Sequence, residues 1–342
     1  MHLASVLIDG RAHIGWQVDP RHLVTLDAAL DAVGAGAFPT LARVTDMAGL
    51  IHAGSAARAE LNRLAAAVAA NPARVPAIAL DTLRWLPPVP RPGKVLGVAM
   101  NNSASDARKI SAPSHPMFFL KASTSLLGHR EDLVVRPFYG SLHPEPELAV
   151  VIGRRARDLD PHTAIDAVYG YTILNDVTGN AMRAEDRVHY YALYASAADP
   201  EVLERREQHL SYAARYKGTD GFGPCGPWLV TADAVPDPGK LDVVCRVGGE
   251  IIAEDSTAYY TFSVPEVLAF ISRFQTLEPG DIVSMGTAFR PSQGSRRSLH
   301  LADMQRVPGP MEVTISGLGT LVTGIRHEDP QLPPWRLPAP AR

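Results

Sequence analysis

His143, Glu145 and Glu147 stand at alternate positions in "SLHPEPELAVVIG", directly before an apolar run. Residues i and i+2 of a strand share a face, so an extended chain projects all three together. Two carboxylates about 7 Å apart repel unless a cation or a proton lies between them. A third isolated acid, Asp176, ends "YGYTILND", which reads as a further strand that could lie beside the first. Three carboxylates from two strands offer hard oxygen ligands, suited to Mg²⁺, Mn²⁺ or Ca²⁺ rather than Zn²⁺. Spacing alone favours the plainer reading, a strand start whose acids meet water, because E-x-E recurs by accident.

Positioning such acids takes a scaffold, and the chain is large enough to build one. Its 342 residues are 46% hydrophobic, which suggests two domains or one large domain with an appendage. A formal net charge of −3 gives no basic field to draw it to nucleic acid or an anionic membrane. Two cysteines, Cys225 and Cys245, are too few for a disulfide framework or a thiolate metal cage. The amino-terminal residues lack a signal-peptide core, and no window approaches the roughly 20 apolar residues of a membrane span. A soluble, cytoplasmic protein is expected.

Residues 3–18 read as a hairpin closed by Asp9-Gly10. Residues 25–34 and 45–71 have helical spacing and good helix formers. Four prolines in "LPPVPRPGKV" stop regular structure, placing a linker at 87–94 after an N-terminal domain, 1–86. Beyond it, short β-branched runs alternate with turn signals through a body at 95–328. Its clearest helix is "SVPEVLAFISRFQTL", with Ser263 as N-cap, Pro265 in the first turn and Glu266 completing a capping box. The class is α+β, a β-rich body with a smaller N-terminal α+β domain, and not a βαβ repeat. A proline-laden tail, 329–342, follows and is expected to be poorly ordered.

Four segments, "HPEPELAVVIG", "GYTILNDVT", "YKGTDGFGPCGPWLV" and "VPEVLAFISRFQTLEPGDIVSMGT", occur in the order of the fumarylacetoacetate hydrolase family. From about Lys94 to Ile325 the chain resembles that family's catalytic domain. The resemblance implies a mixed β-roll fold, usually dimeric, with an E-x-E plus Asp site for Mg²⁺ or Mn²⁺, where Ca²⁺ can substitute in crystals. It assigns Glu145, Glu147 and Asp176 as metal ligands. It places the family lysine at Lys217, with Asp220 three residues on. An ammonium there would stabilise an enolate or oxyanion developing on a chelated substrate. Gly286 and Thr287 match the family's TGTP turn, which contacts a substrate carboxylate, although Ala288 stands where the proline would be. Lys121 in "FFLKAS" matches a lysine near the pocket rim, and a solvated lysine is an equal reading.

The chain departs from the family where water is activated. Aligned on Gly97, the family's histidine becomes Ser103 and its glutamate Asp106, and a lone serine is no base near neutral pH. His143 is the candidate replacement, as a proton-transfer residue or an extra ligand. An edge histidine facing solvent is the alternative. Arg183 takes the place of a family glutamine and could clamp a substrate carboxylate, or lie on a helix surface. The stretch between Asp176 and Lys217 is longer than the family pattern. Within it "DPEVLERREQHL" reads as a helix capped by Asp199, a possible lid, dimer contact or plain surface decoration. The Ser/Arg-rich stretch "AFRPSQGSRRSLHLADMQ" could bind an anion.

These readings together point to hydrolysis of a C–C bond in an acylpyruvate-like 1,3-dicarbonyl or other 2-oxo acid, through a metal-chelated enolate. The missing dyad keeps isomerisation, tautomerisation, hydration and decarboxylation open. So is a non-catalytic relative that kept the fold. The expected partners are a small 2-oxo acid or diketone and a second copy of the chain, with no nucleic acid and no membrane.

Overall fold

The structure, a computed structural model, describes residues 1–106, 109–288, 302–307, 309–333 and 335. The first segment carries β1 (His2–Ile8), β2 (Arg11–Asp19), β3 (His22–Thr25), α1 (Leu26–Val33), α2 (Met47–His52), α3 (Gly54–Ala70), β4 (Ile78–Ala79) and β5 (Arg84–Trp85). Next come β6 (Val95–Ala99), α4 (Ser103–Asp106), β7 (Met117–Lys121), β8 (Leu126–Leu127), β9 (Asp132–Val135), β10 (Leu142–His143), β11 (Pro146–Ile152), β12 (Val168–Asn175), β13 (Thr178–Gly179) and α5 (Asn180–Glu185). The rest is β14 (Val188–Ala195), β15 (Leu203–Leu210), α6 (Ala214–Gly218), β16 (Gly223–Thr231), β17 (Asp242–Val247), β18 (Glu250–Ser256), α7 (Val264–Ser272), β19 (Ile282–Thr287), β20 (Met311–Ile315) and β21 (Gly319–His327). This is the expected β-rich α+β fold.

Asp9 and Gly10 both take positive φ, 48° and 77°, and close the β1–β2 hairpin between Ile8 and Arg11. That is the two-residue turn an Asp-Gly pair favours. Ser263 and Glu266 start α7 as expected, the Ser263 N–H donating to Glu266 Oε2 at 2.8 Å.

A twelve-stranded sheet runs β4-β3-β2-β1-β16-β12-β11-β19-β6-β7, with β5 attached to β1 and β8 to β16. The strands of residues 1–86 join it directly, because β1 pairs with β16 through His2–Val230 and Leu3–Leu229. A five-stranded sheet, β18-β17-β20-β21-β9, packs on the other strands. The large sheet is buried on both faces around β11, and side-chain alternation sends successive residues into different cores. Leu148, Val150 and Ile152 join the core shared with the five-stranded sheet and α7. Ala149 and Val151 join the core under α1–α3. Among the described residues no helix is long and apolar enough to cross a membrane.

One expected helix is a strand. "DPEVLERREQHL" forms a turn and then β15, paired along its whole length with β14. Asp199 does cap, but it caps a turn, accepting from the Glu201 N–H at 3.1 Å. Helix propensity is a weak prior, and here the tyrosine-rich β14 supplies cross-strand partners that override it. The Arg205 and Arg206 guanidiniums lie 4.6 and 5.0 Å from the ring centres of Tyr191 and Tyr194.

Candidate active site

The acid cluster forms where the sheet ladder is interrupted by Pro-Glu-Pro. Pro144 and Pro146 have no N–H to give, so the chain leaves the ladder between β10 and β11. Glu145 therefore sits in the break and not on a continuous strand, which corrects the simple i, i+2 picture. Its backbone is pinned instead by the end of β12: its N–H donates to Asn175 Oδ1 (2.8 Å), and its carbonyl accepts from the Asp176 N–H (2.9 Å). β11 and β12 are neighbours, with Pro146 opposite Asn175 and Glu147 opposite Leu174. Glu145, Glu147 and Asp176 each present a carboxylate oxygen within 4.8 Å of the others.

Each acid is held from behind. Glu147 Oε2 accepts from Ser284 Oγ at 2.5 Å and from the Gly286 N–H at 3.0 Å. Gly286 has φ +84°, and a Cβ there would lie 2.8 Å from the Val98 carbonyl, so only glycine brings its N–H to this place. Glu145 Oε1 accepts from Thr178 Oγ1 at 2.7 Å and meets His143 Nε2 at 3.0 Å. The other histidine nitrogen, Nδ1, lies 2.7 Å from Asn180 Nδ2. His143 is buried, not an edge residue facing solvent, and both ring nitrogens are engaged.

Two ammonium groups complete the cluster. Lys217 Nζ, on the buried side of α6, donates to Glu145 Oε2 at 2.9 Å and to Asp176 Oδ2 at 2.5 Å. Lys121 does not sit on a rim. It is buried behind Asp176, donating to Asp176 Oδ1 (2.7 Å), to the Phe222 carbonyl (3.2 Å) and to the Lys217 carbonyl.

The charges do not balance. Burial, followed by the Asp176 and Glu145 carboxylates, pushes the Glu147 carboxyl well above its ordinary range, against the pull of Lys217. Glu145 goes the other way: burial opposes its charge, yet the Lys217 ammonium and His143 hold it below the carboxylate range. Lys217 is raised despite burial because Asp176, Glu145 and Glu147 all face it. Burial lowers Lys121, and Asp176 only partly offsets this. Three hard oxygen donors with more negative charge than the two lysines relieve fit a divalent cation, and Glu145, Glu147 and Asp176 would hold it.

The remaining expected residues fall at different distances from this chemistry. Thr287 ends β19 opposite Glu147, its carbonyl accepting from Asn102 Nδ2 at 2.9 Å. The Ser103 hydroxyl is buried and has no hydrogen-bond partner among the described residues. Asp106 is exposed and occupied, accepting from Lys109 Nζ and Thr261 Oγ1, both at 2.5 Å. Asp220 is exposed in the turn after α6. Arg183 is exposed on α5 and reaches Asn180 Oδ1 at 3.3 Å. Most of the Ser/Arg-rich stretch lies outside the described residues. Sequence reasoning missed Ser284, Thr178, Asn180 and Asn101. Asn101 Nδ2 donates to the Met285 and Phe262 carbonyls, each at 3.0 Å, and so fixes the start of the Gly286 turn. The doubled asparagine after β6 was the available signal.

The family profile described as fumarylacetoacetate (FAA) hydrolase C-terminal matches residues 95–326, and the chain belongs to that family. The mitochondrial oxaloacetate tautomerase FAHD2A of Homo sapiens is 32% identical over 216 residues, 63% of this chain and 62% of that protein. This chain thus spans less than two thirds of that relative's length. An uncharacterized protein of Pyrococcus abyssi is 32% identical over 241 residues, 70% of this chain and 92% of its own. Among solved structures, fumarylacetoacetate hydrolase from psychrophilic Exiguobacterium antarcticum superposes with a TM-score of 0.68 at 25% identity, covering 96% of this chain and 100% of that one. Maleylpyruvate hydrolase from Sphingobium sp. SYK-6, in complex with manganese(II) ion and pyruvate, gives 0.64 at 25% identity, covering 96% and 99%. The human tautomerase and the two hydrolases are enzymes by name, and the maleylpyruvate hydrolase structure holds manganese(II) ion.

Proposed function

We propose that the chain is a divalent-metal-dependent enzyme that moves a proton at the carbon beside the oxo group of a 2-oxo acid, a tautomerase or isomerase of the oxaloacetate class. One observation carries this choice over hydrolysis. Asp106, at the position of the family's water-activating glutamate, is tied to Lys109 and Thr261, and Ser103 offers only a hydroxyl. Groups that stabilise negative charge are concentrated at the acid cluster, while His143 has both nitrogens engaged.

Bound by Glu145, Glu147 and Asp176, Mg²⁺ or Mn²⁺ would supply a Lewis acid for the oxo and carboxylate oxygens of the substrate. The Lys217 ammonium, kept charged by three carboxylates, stabilises the negative charge that grows on the oxo oxygen as the adjacent carbon passes its proton to solvent water, which returns a proton to the enolate oxygen to complete the tautomerisation. Lys121 holds Asp176 and the Lys217 carbonyl, and so fixes two of the participants. The Gly286–Thr287 turn lies at the Glu147 end of the cluster and is the proposed seat of the substrate carboxylate. Asp220 and Arg183 are left as outer, exposed groups. Residues 95–328 are the proposed catalytic unit, with 1–86 as its N-terminal extension and 87–94 between them.

Hydrolysis is the second reading, favoured by the likeness to maleylpyruvate hydrolase along almost the whole of both chains. The test is incubation of oxaloacetate with the protein and Mg²⁺ or Mn²⁺ in D₂O. Faster decay of enol absorbance and deuterium uptake at the methylene carbon, with no pyruvate, is the expected result. Acylpyruvates cleaved to pyruvate and an acid would instead establish hydrolysis. Metal binding with no turnover of either class would favour a non-catalytic relative.

A further inference from the structure

β14 and β15 form a ribbon apart from both large sheets, and among the described residues each pairs only with the other. An isolated two-stranded ribbon is marginal in water. One face of this one carries a pair of imidazoles. His189 and His209 stand directly opposite each other in the ladder, so their side chains leave the same face. The rings stack with centroids 4.1 Å apart and planes 14° from parallel.

Each ring is engaged from its outer side. His189 Nε2 lies 3.1 Å from Oε2 of Glu207, which belongs to the next residue pair on that face, opposite Tyr191. An ionised carboxylate only accepts, so this partner assigns the proton to Nε2 and leaves the lone pair of a neutral His189 on Nδ1. His209 Nδ1 lies 3.1 Å from Arg187 Nη2. A guanidinium only donates, so that nitrogen also presents a lone pair.

We propose that His189 and His209 bind a divalent transition ion, Cu²⁺, Ni²⁺ or Zn²⁺, at a site separate from the carboxylate cluster. Imidazole nitrogen suits these ions, whereas carboxylate oxygen suits Mg²⁺ and Mn²⁺. A tetrahedral ion with two nitrogens at about 2.0–2.1 Å sets them roughly 3.3 Å apart. Rings stacked at 4.1 Å reach that separation by a small turn of their side chains, and both residues are exposed enough to make it. Glu207 takes the place a carboxylate has behind many metal-bound histidines: it receives the outer N–H, fixes the tautomer and adds negative charge. Arg187 works against the ion, because its guanidinium holds the His209 lone pair and must swing aside, as an exposed side chain can. Once bound, the ion ties the two strands through side chains as well as through the ladder, the kind of staple that a small element without a core otherwise lacks. β14 follows α5 and β15 precedes α6, the helix of Lys217, so the ion sits on the segment that joins those helices.

The test is calorimetric titration with Ni²⁺ of an Asp176→Asn chain, in which the carboxylate cluster is incomplete, and of the same chain carrying His189→Gln or His209→Gln as well. Asp176→Asn is expected to bind one Ni²⁺, and either histidine substitution to weaken that binding at least about tenfold. Circular dichroism should match among the three, since both histidines are exposed. Arg187→Gln is expected to tighten binding about threefold by releasing the His209 lone pair. With Cu²⁺, electron paramagnetic resonance should show nitrogen couplings from two imidazoles, reduced to one in either histidine variant. No saturation of Asp176→Asn below about 1 mM Ni²⁺ would overturn the proposal, as would binding that survives both histidine substitutions.

Discussion

Two antiparallel strand pairs flank Asp176, and they are opposites. β11–β12 comes before it, with every residue of β11 buried and alternate side chains locked into two different cores. β14–β15 comes after it, equally well paired by backbone hydrogen bonds but exposed on both faces. Ladder bonds shape both pairs, yet only the first is held by packing. The candidate ligands are placed accordingly: Glu147 lies on β11, and Glu145 and Asp176 sit at the adjoining ends. A cluster of like charges needs walls that cannot relax away from it. The ribbon, having no such walls, is free to serve as a surface.

The contrast breaks most visibly at Asp176. Asp176→Ala should lower metal-dependent turnover about 10²- to 10³-fold and leave Lys121 and Lys217 facing an incomplete counter-charge. Removing one member of such a buried ionic set costs about 3–5 kcal/mol, readable by urea denaturation. Lys217→Met should cost about 10²-fold in turnover while metal affinity by calorimetry holds or rises, because the ammonium no longer competes for Glu145 and Asp176. A parallel loss of metal affinity would show that Lys217 organises the ligands instead.

A smaller effect is expected with pH. A carboxyl raised on folding contributes stability that is complete below its unfolded value and is lost as pH rises through the folded one. Glu147 is such a group, so the metal-free protein should lose thermal stability from near 4.5 upward. Mg²⁺ favours the charged form and should flatten that slope, so the Tm difference between metal-loaded and metal-free protein should widen as pH rises. The smallest effect belongs to the ribbon. Replacing 189–209 by a short Gly-Ser turn should move the Tm of the body by less than about 2 °C in differential scanning calorimetry. A larger fall would mean that β14–β15 supports the core after all.

Much of this was legible in residue order. The Asp9-Gly10 hairpin, the Ser263–Glu266 capping box and the β-rich texture after the prolines are local signals, and local signals survive folding. The acids were legible as a set because four separate segments share the family's order. What failed was whatever depends on distant partners. "DPEVLERREQHL" has helix-forming residues, and nothing inside it announces the tyrosines of β14 across the turn. Lys121 reads like any solvated lysine until Asp176 and two carbonyls close around it.

From the sequence alone came the ligand candidates, the family, the α+β class and the loss of the usual water-activating dyad at Ser103 and Asp106. These follow from residue identity and order along the chain. Only the tertiary structure decided that Glu145 leaves the ladder between two prolines, that His143 is engaged on both sides, and that Ser284 and the Gly286 N–H support Glu147. The pinning of Glu145 by Asn175, the contact of His143 with Asn180 and the support of Glu147 depend on groups far apart in the chain brought within about 3 Å, a distance at which hydrogen bonds and charges act and which no spacing rule encodes.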